Sequence, residues 1–149
     1  MSIKENLQSD LKISMKAGDK IKTGVLRFIL SEVQSKEKEK QGQGKPAELI
    51  DEEINSVLQK EFKKRKEAIR LFKTGGREDL VSSEEAELAI IEAYIPKQLD
   101  QSEIRTIIEK LISRGRTDFA SIMKEAMKEM KERADGKFVA EVIKERIKN

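Results

Sequence analysis

Apolar residues recur at three- and four-residue steps along nearly the whole chain, and strict alternation of β-branched residues is almost absent, so the pattern predicts helices throughout. Ile3, Leu7, Leu11 and Met15 mark a first helix that Gly18 and Asp19 close. Ile21, Val25, Phe28, Ile29 and Val33 mark a second, followed by Lys36-Glu37-Lys38-Glu39-Lys40, read as a solvated charge run. The two glycines and the proline of Gln41-Gly42-Gln43-Gly44-Lys45-Pro46 then break the pattern.

A third helix is expected to start near Asp51, with that side chain as its cap, and to run through Ile54, Leu58, Phe62, Ile69 and Phe72 to Gly75-Gly76. Ser82 and Glu85 have the spacing of a capping box that opens a fourth helix. That helix holds Leu88, Ala89, Ile90, Ile91 and Ala93, is apolar on most sides, and is therefore expected to be buried. Pro96 ends it, and Asp100 with Glu103 gives a new capping signal, which sets a domain boundary between Ile95 and Pro96.

Beyond the boundary, three short amphipathic stretches follow: Ile104 to Ile112, stopped at Gly115; Phe119 to Met130; and Phe138 to Ile147. The expected fold is all-α, with an N-terminal helical domain over 1–95 and a C-terminal three-helix bundle over 96–149.

Composition narrows the chemistry. The 149 residues include no His and no Cys, which removes disulfides, Cys/His zinc sites, thiol nucleophiles, Ser-His-Asp triads and histidine acid/base catalysis. Gly42-x-Gly44-Lys45 lacks the full spacing of a phosphate loop and follows no strand, and no acidic set has EF-hand spacing. No cofactor, metal or catalytic residue is expected. No apolar run approaches the roughly 20 residues of a membrane span, and the first residues lack the apolar core of a signal peptide. The chain is accordingly expected to be soluble and cytoplasmic, with no membrane partner.

The net charge of +3 conceals a contrast along the chain. Lys60 to Arg77 holds eight basic residues against only Glu61 and Glu67, a net +6. At about 100° per residue, Lys63, Lys66, Arg70 and Lys73 fall in a stripe roughly 80° wide beside the apolar face. Such a ridge suits a polyanion's phosphates, although a charge run can equally be a solvated helix face. With one Tyr and no Trp, aromatic stacking platforms are missing, so a nucleic acid would be gripped by its backbone.

Arg65 falls inside the apolar stripe, between Phe62 and Ile69, where a guanidinium needs a partner. The structural reading is an ion pair with Glu84, Glu87 or Glu92 of the fourth helix; the functional one is an arginine held at a groove. Gly75-Gly76 places Arg77 at the mouth of a turn, either as a helix stop or as part of the ridge. In Arg133-Ala134-Asp135-Gly136-Lys137, Asp135 suits a helix cap, while Arg133 and Lys137 flank backbone N–H groups suited to phosphate, a second and weaker basic patch.

Together, Lys64-Arg65-x3-Ile69-x2-Phe72, Gly76-Arg77-x-Asp79-Leu80, Glu85-x-Glu87-Leu88, Tyr94-Ile95-Pro96-Lys97-Gln98-Leu99 and Arg133-Ala134-Asp135-Gly136-Lys137-x-Val139 resemble the YqeY family over nearly the whole chain. This is the GatB/YqeY domain, related to the tail of the B subunit of tRNA-dependent amidotransferases. The chain departs from the family pattern at Glu132, where Gly is common, and at Ala120-Ser121, where Gly-Lys is common.

The resemblance implies a two-domain helical protein whose related tail contacts the outer corner of tRNA. It also brings a family label of carbon–nitrogen ligase activity with glutamine as amide donor. The residues do not supply that chemistry alone, because there is no Cys, no amidase-type Ser-Ser-Lys signature and no ATP motif. The expected function is a non-catalytic tRNA-binding accessory protein using Lys63, Lys66, Arg70, Lys73 and Arg77, with Arg133 and Lys137 as the second patch. The alternative is a protein–protein adaptor that docks the Met123, Met127 and Met130 row on an amidotransferase or aminoacyl-tRNA synthetase.

Overall fold

The computed structural model describes residues 1–131 and 133–148, and every regular element among them is an α-helix. The helices are α1 (Ile3–Ala17), α2 (Lys20–Gly42), α3 (Asp51–Thr74), α4 (Glu78–Glu92), α5 (Gln101–Ser113), α6 (Phe119–Met130) and α7 (Gly136–Ile147). The chain divides into two compact units, Met1–Ile95 and Pro96–Asn149.

In the first unit, Gly18 adopts φ 71°, a left-handed turn open to glycine at little cost, and Asp19 caps α2 by accepting from the Lys22 N–H at 3.0 Å. The turn is pinned from inside: buried Ser14 Oγ donates to the Leu11 carbonyl at 2.9 Å and accepts from Thr23 Oγ1 at 3.0 Å. The periodic apolar positions converge on one core of Leu7, Val25, Leu26, Ile29, Val33, Leu49, Ile54, Val57, Leu58 and Ile91, drawn from α1 to α4 and the α2–α3 connection. Ile21 and Phe28, counted with the apolar face of α2, remain exposed at its margin.

Three local expectations are corrected. The charge run Lys36 to Lys40 is not simply solvated, because α2 continues through it and turns two of its residues inward. Glu37 accepts from Lys4 Nζ at 2.9 and 3.1 Å and from the Leu49 N–H at 3.1 Å, and Lys40 Nζ reaches Glu53 Oε1 at 2.9 Å. Asp51 is the first residue of α3, not its cap; its Oδ1 accepts from the Ile3 N–H at 3.0 Å, while Glu53 Oε1 accepts from the Ile50 N–H at 3.2 Å. Helix α4 begins at Glu78, so Ser82 lies within it. Glu78 and Asp79 in the first turn complement the positive end of the helix dipole, and the earlier start lets Val81 be buried. Only Val81 and Ile91 of α4 are buried and Ala89 is exposed, so the helix hides a stripe and not most of its surface.

In the second unit, each helix begins at an aspartate cap: Asp100 accepts from the Glu103 N–H at 2.8 Å, Asp118 from Ser121 at 2.9 Å and Asp135 from Lys137 at 3.1 Å. Gly115, at φ 92°, turns the chain after α5. The core comprises Ile104, Ile108, Leu111, Ile122, Ala126, Met130, Val139, Val142 and Ile143, with Met123 and Met127 packed against it. The departure from the family pattern at Glu132 lies outside the described residues.

Candidate nucleic-acid interface

Helix α3 presents the basic ridge because its apolar positions commit the neighbouring arc to the core. Ile54, Val57, Leu58 and Ile69 are buried, whereas Lys63, Lys66, Arg70 and Lys73 are all exposed. Ten residues separate Lys63 from Lys73, so the ridge runs roughly 15 Å along the helix. At its end the chain turns through Gly76 at φ 70°, and the Arg77 N–H closes the turn on the Phe72 carbonyl at 2.9 Å. Arg77, also exposed, occupies the N-cap position of α4.

The ridge is not uniformly open. Arg70 is gripped by Glu67 on its own helix, with Nη2 at 2.6 Å from Oε1 and Nε at 3.1 Å from Oε2. Arg77 faces Asp79 through Nε and Nη2, both at 3.3 Å, and Lys73 Nζ reaches across to Glu85 of α4 at 3.6 Å. Hydrogen bonding from Arg70 holds the Glu67 carboxyl below its ordinary range, and Arg77 does the same to Asp79. Among the described residues, Lys63 and Lys66 have no ion pair; the Lys66 ammonium lies 5.0 Å from the centre of the Phe62 ring.

Arg65 belongs to the scaffold beneath the ridge. Its side chain is 13% exposed and faces three carboxylates: Glu61 at 3.1 Å through Nε, Glu84 at 3.4 Å, and Glu87. The guanidinium also lies 5.8 Å from the centre of the Phe28 ring. It ties α3 to α4: of the expected partners Glu84, Glu87 and Glu92, the first two engage it, and Glu61, one turn away on the same helix, is a further partner not expected from the sequence.

The second patch has a different character. Arg133 is half-buried and its Nε donates to the Met130 carbonyl at 3.2 Å, while its own carbonyl accepts from the Leu99 N–H at 2.7 Å. Lys137 is exposed and its N–H is taken by the Asp135 cap. Arg133 thus holds the α6–α7 connection, and the patch has one exposed cation in place of two. The methionine row is corrected as a docking surface: Met130 is fully buried and Met123 and Met127 are packed into the bundle, so their flexible side chains fill core space.

Two features of the first unit had no signal in the sequence, because each joins residues far apart along the chain. Tyr94 Oη donates to Asp10 Oδ2 at 2.5 Å, and burial followed by that carboxylate raises the Tyr94 pKa. A groove of about 320 Å³ lies between α1 and α2, lined by Lys4, Leu11, Arg27, Leu30 and Glu37 among others. Among the described residues, no group of three or more acids is arranged to hold a metal ion, and no helix is long and apolar enough to cross a membrane.

The fold and this surface define an all-helical protein of two small units carrying an exposed basic ridge on its longest helix. It belongs to the YqeY family: the family described as Yqey-like protein matches residues 4–147. The chain is 30% identical over 146 residues to Altered inheritance of mitochondria protein 41, mitochondrial, of Pyrenophora tritici-repentis, covering 93% of this chain and 77% of that protein. Proteins of the same name from Lachancea thermotolerans and Vanderwaltozyma polyspora are each 30% identical, over 84% and 72% of this chain. The chain spans 66% and 57% of the length of those two relatives.

These names correct the cytoplasmic expectation, since the relatives are mitochondrial proteins. The absence of an apolar run bears only on apolar signals and helical spans. Import into mitochondria uses amphipathic, Arg-rich segments that leave no such run.

Proposed function

We propose that the chain is a non-catalytic RNA-binding accessory protein whose ligand is tRNA, serving a tRNA-dependent amidotransferase. The observation that carries this reading is the exposure of Lys63, Lys66, Arg70 and Lys73 along one face of α3, with Arg77 at its end. Those five cations would meet backbone phosphates, while the buried arc of α3 and the Arg65 cluster keep the helix rigid beneath them. The lack of His and Cys supports a binding role over glutamine hydrolysis by this chain. The names of the relatives make the mitochondrion the setting in which a partner is to be sought.

Binding of total tRNA measured against salt tests the reading. A few phosphate contacts predict a log–log slope of magnitude about 2 to 5. Reversing Lys66, Arg70 and Lys73 together to Glu is expected to abolish binding. No binding at low salt, or binding indifferent to the reversal, refutes it.

A further inference from the structure

The five ridge cations fall into two classes. Lys63 and Lys66 are exposed and without ion pairs among the described residues, whereas Arg70, Lys73 and Arg77 each face an exposed carboxylate. The three acids are themselves open to solvent, with Glu67, Glu85 and Asp79 side chains 57%, 53% and 68% exposed. They sit where a phosphate would have to sit. Two of the pairs, Arg70–Glu67 and Arg77–Asp79, are two-pronged, the geometry in which a carboxylate best imitates a phosphate.

We propose that Glu67, Asp79 and Glu85 act as built-in competitors that hold down the affinity of the ridge for phosphates, a role that rests on the RNA reading above. A polyanion gains the first contacts at Lys63 and Lys66 without displacing anything. To gain Arg70, Lys73 and Arg77 it must place phosphates where all three carboxylates are displaced, and a displaced carboxylate left nearby repels it. A folded RNA with a fixed phosphate spacing that matches the ridge makes this exchange at all three positions together. A flexible strand must first be ordered into the same spacing and loses conformational entropy in doing so. That ordering cost is the same with or without the acids, so the strand makes the three exchanges less often and the acids weaken its binding no more than that of the folded RNA.

The test compares the wild-type chain, the triple variant Glu67→Gln, Asp79→Asn, Glu85→Gln, and a control, Glu32→Gln, which removes an exposed charge on α2. Each is titrated with total tRNA and with single-stranded poly(U) at the same low salt. Exposed ion pairs are weak, so the triple variant is expected to bind tRNA about two- to tenfold more tightly than wild type. Its gain for poly(U) is expected to be no larger, because the strand's ordering cost is unchanged by the substitutions. A gain for tRNA no greater than that of Glu32→Gln, or a larger gain for poly(U) than for tRNA, overturns the inference while leaving the RNA reading intact. Failure of both wild type and triple variant to bind any RNA overturns both. Glu67→Gln alone repeats the comparison with a residue of nearly equal helix propensity on an exposed face, which keeps the test independent of folding.

Discussion

Tyr94 Oη lies 2.5 Å from Asp10 Oδ2, so the last turn of the first unit is fastened to its first helix across 84 positions of sequence. The bond closes the unit beside the apolar contacts of Tyr94 and Ile95 with the shared core. Burial and the facing carboxylate raise the tyrosine's pKa, so the folded state favours the protonated phenol.

Tyr94→Phe is expected to lower the stability of the first unit by about 1 kcal/mol, the net worth of one such bond. The sign of the pH effect follows from the raised pKa. The stabilisation is fully present below the unfolded value near 10 and is lost as pH rises through the folded value. Urea unfolding between pH 8 and 11 should therefore show an alkaline decline in wild type that Tyr94→Phe diminishes.

Arg65 offers a larger effect. Its removal leaves Glu61, Glu84 and Glu87 facing one another at the α3–α4 contact without their common cation. Arg65→Met is expected to destabilise the first unit by about 2 to 4 kcal/mol. Arg65→Lys restores the charge but not the fork that engages acids on two helices, and should recover only part of the loss. Chemical denaturation midpoints of the three proteins check this order.

Glu37 governs the acid side. Burial pushes its carboxyl upward, but hydrogen bonds from Lys4 and the Leu49 N–H outweigh that and hold its pKa below the ordinary value. Its contribution is present above the unfolded value of about 4.3 and is lost as pH falls through the lowered folded value. Glu37→Gln should reduce stability at pH 7 and flatten the decline between pH 5 and 3, as read from thermal midpoints.

How much was legible in the sequence depended on the range of the interaction. Asp100 and Asp135 announce their helices because a cap acts on a backbone N–H two or three residues on. Gly18 and Gly115 mark stops because positive φ is a property of the single residue. Ser82 misled because its capping spacing is also compatible with a helix interior. The true start was set by the burial of Val81 and by Glu78 and Asp79 at the helix end. Asp51 misled likewise: the N–H it serves belongs to Ile3, 48 positions away.

The ridge shows the same division. Its existence on one face of α3 follows from a 3.6-residue period, and the exposed positions of Lys63, Lys66, Arg70 and Lys73 are those the period predicts. That Glu85 of α4 lies beside Lys73, and that Arg65 is bound by Glu84 and Glu87, required the two helices to be packed together.

The sequence alone determined that this is an all-helical chain, where most of its helices stop, and that one helix carries a dense row of cations. Those properties arise from interactions within about one helical turn, which are written in neighbouring letters. Only the tertiary structure decided which cations are already answered by carboxylates, that the methionine row is core, and that Tyr94 is secured to Asp10. Those outcomes depend on which distant surfaces meet, and the linear pattern of apolar and polar residues leaves that choice to packing.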